Sequence, residues 1–233
     1  MIVAVAGLDS VACRCRGSGR GVASEAMTPA PRRRAVGLLP GIAIGVGATL
    51  AVGLLLLRVF VVEAFKIPSG SMIPTLRVGD HVLVDKLAYR GQLPRRGDVA
   101  VFRRDDRFFV SRVVAVGGDT VALPAGKLVL NGAPVPRRER PGPCSFTDVD
   151  QPAPDRVERP CQAFEETLDA RTHVVIRDPG VTPLEFKPAT VPGGHFFVAG
   201  DNRDNSYDSR YYGPLPTDSL VGRVWRVWWR SPR

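Results

Sequence analysis

The sequence is poor in residues that usually serve as metal ligands or general bases. Its 233 residues include four cysteines and three histidines, and no set of His, Cys and carboxylates has the spacing of a metal site. Only four of its 32 basic residues are lysines, and aromatic residues make up 7% of the chain. We therefore expect no metal, no organic cofactor and a core built mainly of Val, Leu and Ala.

Lysine is so scarce that the formal net charge of +9 comes almost entirely from arginine. A nucleic-acid-binding protein would concentrate this charge on one face or beside a reading motif. Here the arginines are scattered along the chain, and no such motif accompanies them. We therefore expect no nucleic-acid partner and interpret the charge as spread around a membrane protein.

Long apolar runs are absent, with one exception at residues 35–57. This run contains no charged side chain, and as a helix it would measure roughly 35 Å, enough for a hydrocarbon core of about 30 Å. Three arginines at 32–34 precede it, which favours a cytoplasmic N-terminus and an extracytoplasmic domain from residue 58 onward. We predict a single transmembrane helix in the cell membrane, with lipid as a partner.

Residues 1–34 lack the basic start and the long apolar stretch of a cleaved signal peptide. We interpret them as a disordered cytoplasmic leader. Cys13 and Cys15 by themselves make a poor metal or lipidation site. Met27, just before the arginines, is an alternative start of translation.

No long amphipathic helix is indicated after residue 65, where apolar and polar residues alternate instead. Asn131-Gly132 favours a hairpin turn, because both residues tolerate positive φ. Residues 58–233 are predicted to form a mostly antiparallel β domain with a Pro- and charge-rich insertion at about 137–190. The segments predicted as strands by their alternation are 81–85, 98–102, 109–116 and 221–229.

Two cysteines lie within the predicted insertion. Cys144 and Cys161 are 17 positions apart. In an oxidising compartment they could form a disulfide, which would stabilise the domain by roughly 3 kcal/mol. Two unrelated free thiols are the alternative.

Two polar segments interrupt the strand pattern. The first, SGSMIPTL at 69–76, is bounded by proline and predicts an ordered loop that fixes a hydroxyl group. The second, GDNRDNSYDSR at 200–210, predicts a hydrogen-bonded cluster in which Asp208 and Arg210 form a charge-assisted pair. Taken singly, each segment also fits an ordinary turn or a solvated loop.

Together the two segments resemble the type I signal peptidases, also called leader peptidases. Blocks at 79–89 and 112–119 agree with the same family, in the same order, behind a single anchor. The resemblance covers about 58–222 and leaves the insertion unmatched. It implies a membrane-bound serine endopeptidase that removes N-terminal signal peptides from exported proteins. It also implies a fold of two antiparallel sheets and no cofactor.

The resemblance also implies individual roles. Ser71 matches the nucleophile, and the Ser69 hydroxyl matches a group that stabilises the oxyanion. Met72 matches a position near the substrate-binding surface. The residues that match the orienting and supporting positions are Ser206, Asp208 and Arg210.

Ser111 departs from the family, because this position is normally the general-base lysine. A serine nucleophile needs a neighbour that takes its proton, and a second serine is no stronger a base than the first. Arg112 stays protonated and cannot accept a proton. Three readings stay open. The first is an active peptidase, with a base relocated to a residue such as Lys66 or Lys86 or with an error in the sequence at residue 111; none of His81, His173 and His195 is placed by its local motif as a base. The second is a catalytically impaired paralogue that binds signal peptides or a secretion complex, and the third is a Ser/Lys peptidase with a specialised substrate.

Overall fold

The computed structural model describes residues 3–4, 38–147 and 157–231. The chain separates into two units. One contains residues 1–5 and 57–233 and holds nearly all the β-structure, and the other contains residues 6–56. The predicted leader at 1–34 lies outside the described residues, except for the short strand β1 (Val3–Ala4).

The smaller unit contributes most of helix α1 (Leu38–Phe60). Side chains of this helix are described over 44–55, and the larger apolar ones there are exposed, for example Ile44 and Leu54 at 72% each. Within the described part of the chain, no helix has the length and apolarity needed to cross a membrane. The predicted span at 35–57 is therefore not supported by the structure, and residues 35–37 lie outside the described ranges.

The largest sheet has eight strands, and all its neighbouring strands are antiparallel. The strand predicted at 221–229 is confirmed. It is the last described strand in the sequence, yet it lies inside this sheet rather than at its edge. In spatial order the strands are β1, β2 (Val62–Lys66), β3 (His81–Asp85), β17 (Leu220–Trp229), β4 (Val99–Arg104), β5 (Arg107–Val116), β15 (His195–Ala199) and β16 (Leu215–Pro216).

Three smaller antiparallel sheets follow β5 in sequence. The first has the order β14 (Phe186–Thr190), β6 (Thr120–Leu123), β7 (Val129–Leu130) and β8 (Ala133–Pro134). The second has the order β13 (Arg171–Arg177), β12 (Gln162–Leu168) and β9 (Arg137–Arg140). The third pairs β10 (Ser145–Thr147) with β11 (Glu158–Pro160). The region predicted as an insertion thus contains sheets of its own.

Two local predictions, one just before the insertion and one within it, are confirmed. Asn131 and Gly132 have positive φ values, 51° and 80°, and connect β7 to β8 as a hairpin. Cys144 and Cys161 form a disulfide beside the β10–β11 pair. The bond ties together the two ends of the segment that includes the undescribed residues 148–156.

Packing beneath the predicted loop at 69–76 anchors it to the main sheet. Met72 and Leu76 are buried in one core cluster with Phe65 from β2 and Val82 from β3. Although Val, Leu and Ala are frequent in the core, four phenylalanines are among its largest fully buried side chains. The sole α-helix described after residue 65 is α2 (Ser209–Tyr212), in agreement with the β-rich prediction.

Candidate active site

The loop at 69–76 holds two serine hydroxyls close together. Ser69 Oγ and Ser71 Oγ lie 3.3 Å apart, and both residues are partly exposed. The loop is fixed at its base, where Ile67 N donates to Asp80 O at 2.8 Å and Gly79 N donates to Ile67 O at 2.7 Å. The prediction of an ordered loop that positions a hydroxyl group is confirmed.

Met72 turns away from these hydroxyls. Its side chain is fully buried in the core cluster beneath the loop. It is not among the residues that line the cavity around Ser71. The structure therefore gives Met72 a packing role, and its contact with substrate stays a prediction.

The segment at 200–210 packs directly against the serine loop. Asn202 N donates to Ser71 O at 3.0 Å, and Asn202 Nδ2 donates to Gly70 O at 3.2 Å. Gly200 permits this approach, because a Cβ at this position would lie 2.6 Å from Ser71 O and would overlap the Ser206 side chain. A glycine is needed here for close packing.

Asp208 is the centre of a hydrogen-bonded cluster behind the cavity. Its carboxylate accepts from Gly200 N and Ser206 Oγ, both at 2.8 Å, and from Arg210 Nε and Nη2, both at 2.7 Å. Asp208 and Arg210 are both buried. Burial lowers the pKa of Arg210, but its hydrogen bonds to Asp208 and that carboxylate's charge outweigh burial and leave the pKa raised. The predicted charge-assisted pair is thus confirmed.

A second buried ion pair was missed in the sequence. Arg112 donates to both carboxylate oxygens of Asp201, at 2.7 and 2.6 Å, and Thr75 Oγ1 donates to the same carboxylate at 2.5 Å. These three residues join β5, the 200–210 segment and the serine loop. The available signal was the presence of Arg112 and Asp201 in two of the matched blocks, but nothing local linked them.

The two serine hydroxyls open into a cavity of about 420 Å³. It has a polar floor, and three aromatic rings lie in its wall. Neither lysine nor histidine contributes to its lining. The lining residues are Ser69, Ser71, Phe109, Asp204, Asn205, Ser206, Tyr207 and Tyr211.

Ser111 is buried on β5 and makes no hydrogen bond through its hydroxyl. Its exposed fraction is 5%, and it pairs with Ala100 on β4. Because strand residues two apart share a face, Ser111 shares the face of Phe109, which lines the cavity. The Ser111 hydroxyl is no stronger a proton acceptor than the Ser71 hydroxyl.

The lysines proposed as relocated bases lie elsewhere. Lys86 Nζ forms an ion pair with Glu63 at 3.3 Å, and Lys66 is exposed at the end of β2. Neither of these residues lines the cavity. The structure therefore does not bring a lysine to Ser71 within the described ranges.

The three histidines are also absent from the cavity lining. His81 packs against the rings of Trp228 and Trp229, and His195 Nδ1 lies 3.0 Å from Gly193 O. His173 is buried, and burial together with the positive charge of Arg112 lowers its pKa to about 4. His173 is thus neutral at pH 7, but it lies outside the wall of the Ser71 cavity.

No candidate metal centre accompanies the serines. Among the residues for which the structure gives a placement, no three or more His, Cys, Asp or Glu residues are grouped so that they could hold an ion. The chemistry available in the cavity is that of hydroxyl groups, backbone amides and the Asp204 carboxylate.

The site is thus centred on paired serine hydroxyls in an open cavity of an antiparallel β domain. A sequence profile described as "Signal peptidase, peptidase S26" matches residues 41–229. Signal peptidase I of Pseudomonas aeruginosa is 36% identical over 211 residues, covering 77% of this chain and 69% of that protein. Signal peptidase I of Leptolyngbya laminosa is 33% identical over 203 residues, covering 82% and 80%.

The chain belongs to the signal peptidase family, peptidase S26. This membership confirms the family indicated by the four sequence blocks. A crystal structure of a signal peptidase I from Enterococcus faecalis V583 also matches, with a TM-score of 0.32, 22% identity, and coverage of 57% of this chain and 97% of that one.

Proposed function

We propose that the chain is a serine endopeptidase that cleaves signal peptides, with Ser71 as its nucleophile. The observation that carries the proposal is the Ser69–Ser71 hydroxyl pair, 3.3 Å apart, at the wall of an open cavity. The Asp208–Arg210 and Asp201–Arg112 pairs support this wall from behind. Family membership supports the substrate class.

In the proposed reaction, Ser71 Oγ attacks the carbonyl carbon of the scissile bond and forms a tetrahedral intermediate. The Ser69 hydroxyl and the Ser71 backbone N–H would donate to the negatively charged oxygen. Ser71 releases its proton to water as it attacks; collapse of the intermediate then breaks the C–N bond, and the leaving amine takes a proton back from water. Water then hydrolyses the acyl-enzyme. The substrate would bind as an extended strand beside the loop.

The first proton transfer is the step of this mechanism for which the cavity lining provides no strong general base. Ser71 must lose its proton as it attacks, and the cavity lining contains neither lysine nor histidine. Removal of a general base costs about 10²–10⁴-fold in rate. Water or hydroxide would have to accept the proton, so we expect slow turnover that increases with pH.

Ser111 favours a second candidate function, that of a catalytically impaired paralogue that binds signal peptides without efficient cleavage. Its buried, unpartnered hydroxyl occupies the strand face where a base would be needed. The binding cavity and its supporting ion pairs do not depend on this residue. The two functions therefore differ in turnover and share the same ligand.

Cleavage of a synthetic signal-peptide substrate by three proteins separates the candidates. The peptidase proposal expects slow cleavage by the wild type, none by Ser71→Ala, and an increase of about 10²-fold or more in Ser111→Lys. Wild-type protein that binds but never cleaves, while Ser111→Lys gains turnover, would establish the impaired paralogue. Equal cleavage by wild type and Ser71→Ala would exclude Ser71 as the nucleophile.

Membrane attachment with the catalytic domain outside the cytoplasm is a further part of the proposal. It rests on the uncharged run at 35–57 and the arginines at 32–34. Trp225, Trp228 and Trp229, exposed on β17 by 44–63%, also suit an interface with lipid headgroups. The full chain should remain in the membrane pellet after alkaline carbonate washing, and protease added to intact cells or spheroplasts should reach residues after 58. Release into the wash would contradict attachment.

A further inference from the structure

A second cavity, of about 700 Å³, lies among β9, β12 and the turns that flank β7 and β13. Its walls combine apolar side chains, including Phe164 and Val135, with several charged groups. None of the residues assigned to the serine site lines it. The charged lining residues are Lys127, Arg137, Glu139, Arg177 and Asp178.

The charges behind this cavity do not cancel. Both carboxylate oxygens of Glu166 accept from Arg203, and Asp204 accepts from Arg177 Nε at 2.7 Å. Arg137 comes no closer than 3.9 Å to Glu166, and its buried Nε has no hydrogen-bond partner. Among the charged lining residues, Lys127, Arg137 and Arg177 outnumber Glu139 and Asp178, which leaves one positive charge in excess.

The guanidinium group of Arg137 packs over the ring of Phe164. Its guanidinium carbon lies 3.4 Å from the ring centroid, so the planar group is oriented by stacking. Burial and the positive charges of Arg203 and Arg177 leave the pKa of Arg137 lowered, although Glu166 acts in the opposite direction. An anion beside Arg137 would offset this excess charge.

We propose that this cavity binds an acidic side chain, Asp or Glu, of an extended peptide, with Arg137 as its main charge partner. One excess positive charge matches a singly charged carboxylate, and a guanidinium can hold it through two hydrogen bonds. Lys127, which is exposed and lines the same cavity, adds a second cation at the rim. The apolar walls would accept the neighbouring side chains of the peptide.

The new site adjoins the serine site through one ion pair. Asp204 lines the cavity of Ser71, and its partner Arg177 lines this second cavity. The two cavities are therefore neighbours that share the Arg177–Asp204 pair in their walls. Binding at the second cavity does not itself require cleavage.

Isothermal titration calorimetry of the full chain in detergent tests the proposal with two peptides, acetyl-Ala-Val-Glu-Val-Ala-amide and its Gln counterpart. The Glu peptide should bind about tenfold tighter than the Gln peptide, since a hydrogen-bonded charge contributes about 1.5 kcal/mol. Arg137→Gln should abolish this difference, and Lys127→Gln should weaken binding of the Glu peptide about threefold. Lys187→Gln is the matched control, because Lys187 is exposed on β14 outside the cavity.

Glu139→Gln is expected to increase the affinity for the Glu peptide, and a misfolded variant would not show such an increase. It removes a competing carboxylate from the lining, so the Glu peptide should bind about threefold tighter. Equal affinity for the Glu and Gln peptides would overturn the proposal, as would a loss in Lys187→Gln equal to that in Lys127→Gln. Competition by phosphatidylglycerol vesicles, but not by phosphatidylcholine vesicles, would assign the cavity to anionic lipid instead. Ser71→Ala should leave these affinities unchanged, so failure to cleave does not affect this test.

Discussion

The carboxylates on one side of the Ser71 cavity and the Ser111 hydroxyl on the other differ in how completely they are paired. On the side of the 200–210 segment, Asp201 and Asp208 are buried and each is held by a two-pronged arginine contact. On the side of β5, the Ser111 hydroxyl is buried without a partner. The first side pairs its buried carboxylates, although Asn202 Oδ1 and Asn205 Nδ2 there have no hydrogen-bond partner. On the second side the unpaired atom is a hydroxyl at the position where a base is needed, against the usual pairing of buried polar atoms.

A serine peptidase must hold its nucleophile in position and must also supply an acceptor for the proton of that nucleophile. In this chain the two requirements depend on different residues. The position of Ser71 is fixed by backbone contacts to Asn202 and by the ion pairs behind it. None of these contacts involves residue 111. The proposed nucleophile can therefore stay in place although the cavity lining contains no lysine or histidine to accept its proton.

The largest effect should come from the paired side. Asp208→Ala leaves Arg210 buried without its partner and should lower the free energy of unfolding by about 3–5 kcal/mol. Urea denaturation measures this loss. Asp218→Ala, at an exposed position, should change stability by less than about 0.5 kcal/mol. A loss below about 1 kcal/mol in Asp208→Ala would show that this side is not the scaffold.

His173 makes the paired side sensitive to pH. Its pKa is lowered to about 4 in the folded protein, so between about pH 6.5 and 4 the unfolded chain binds the extra proton. The contribution of His173 to the free energy of unfolding should be fully present above pH 6.5. It should fall by about 2–3 kcal/mol as the pH falls through this window. His173→Leu should flatten the profile of unfolding free energy against pH. Equal slopes of unfolding free energy against pH in the wild type and in His173→Leu would contradict the assignment of this pH dependence to His173.

Gly200 tests the close contact between the two segments. A methyl group there would strike Ser71 O and the Ser206 side chain, so Gly200→Ala should cost about 1–3 kcal/mol and displace the nucleophile. Thermal denaturation and substrate cleavage would both record the change. Gly193→Ala is the control, because a Cβ at Gly193 meets nothing within 4 Å. Equal effects would refute the requirement for glycine at position 200.

The smallest effect belongs to the unpaired side. Ser111→Ala removes a buried hydroxyl that makes no hydrogen bond, so stability should stay unchanged or rise by up to about 1 kcal/mol. Ser206→Ala should instead lose about 1 kcal/mol, because that hydroxyl donates to Asp208. Chemical denaturation compares the two variants directly. A marked loss of stability in Ser111→Ala would show that its hydroxyl has a partner.

Local features of the site could be predicted from the sequence, and long-range ones could not. Asp208 and Arg210 are two residues apart, so their types alone suggested the pair. Arg112 and Asp201 are separated by 89 positions, and only the folded sheet brings them together. Likewise, nothing in the sequence indicated that Ser111 would lack a partner, since this depends on side chains from other strands.

The region at 137–190 illustrates the same limit in the fold. Its Pro- and charge-rich composition predicted a break in the regular strand pattern, but it contains six strands. Strand β9 reads Arg-Arg-Glu-Arg, and it becomes a strand by pairing with β12. Charged residues on a partly solvated edge strand give no hydrophobic period for the sequence to reveal.

The place of β17 makes the cavity depend on a strand that does not line it. Among the described strands β17 comes last in the sequence, yet it separates β3 from β4 in the main sheet. A chain truncated before residue 220 would lose the strand that connects β2 and β3, which flank the serine loop, to β4 and β5. We therefore expect such a truncation to disrupt the cavity although none of its lining residues is removed.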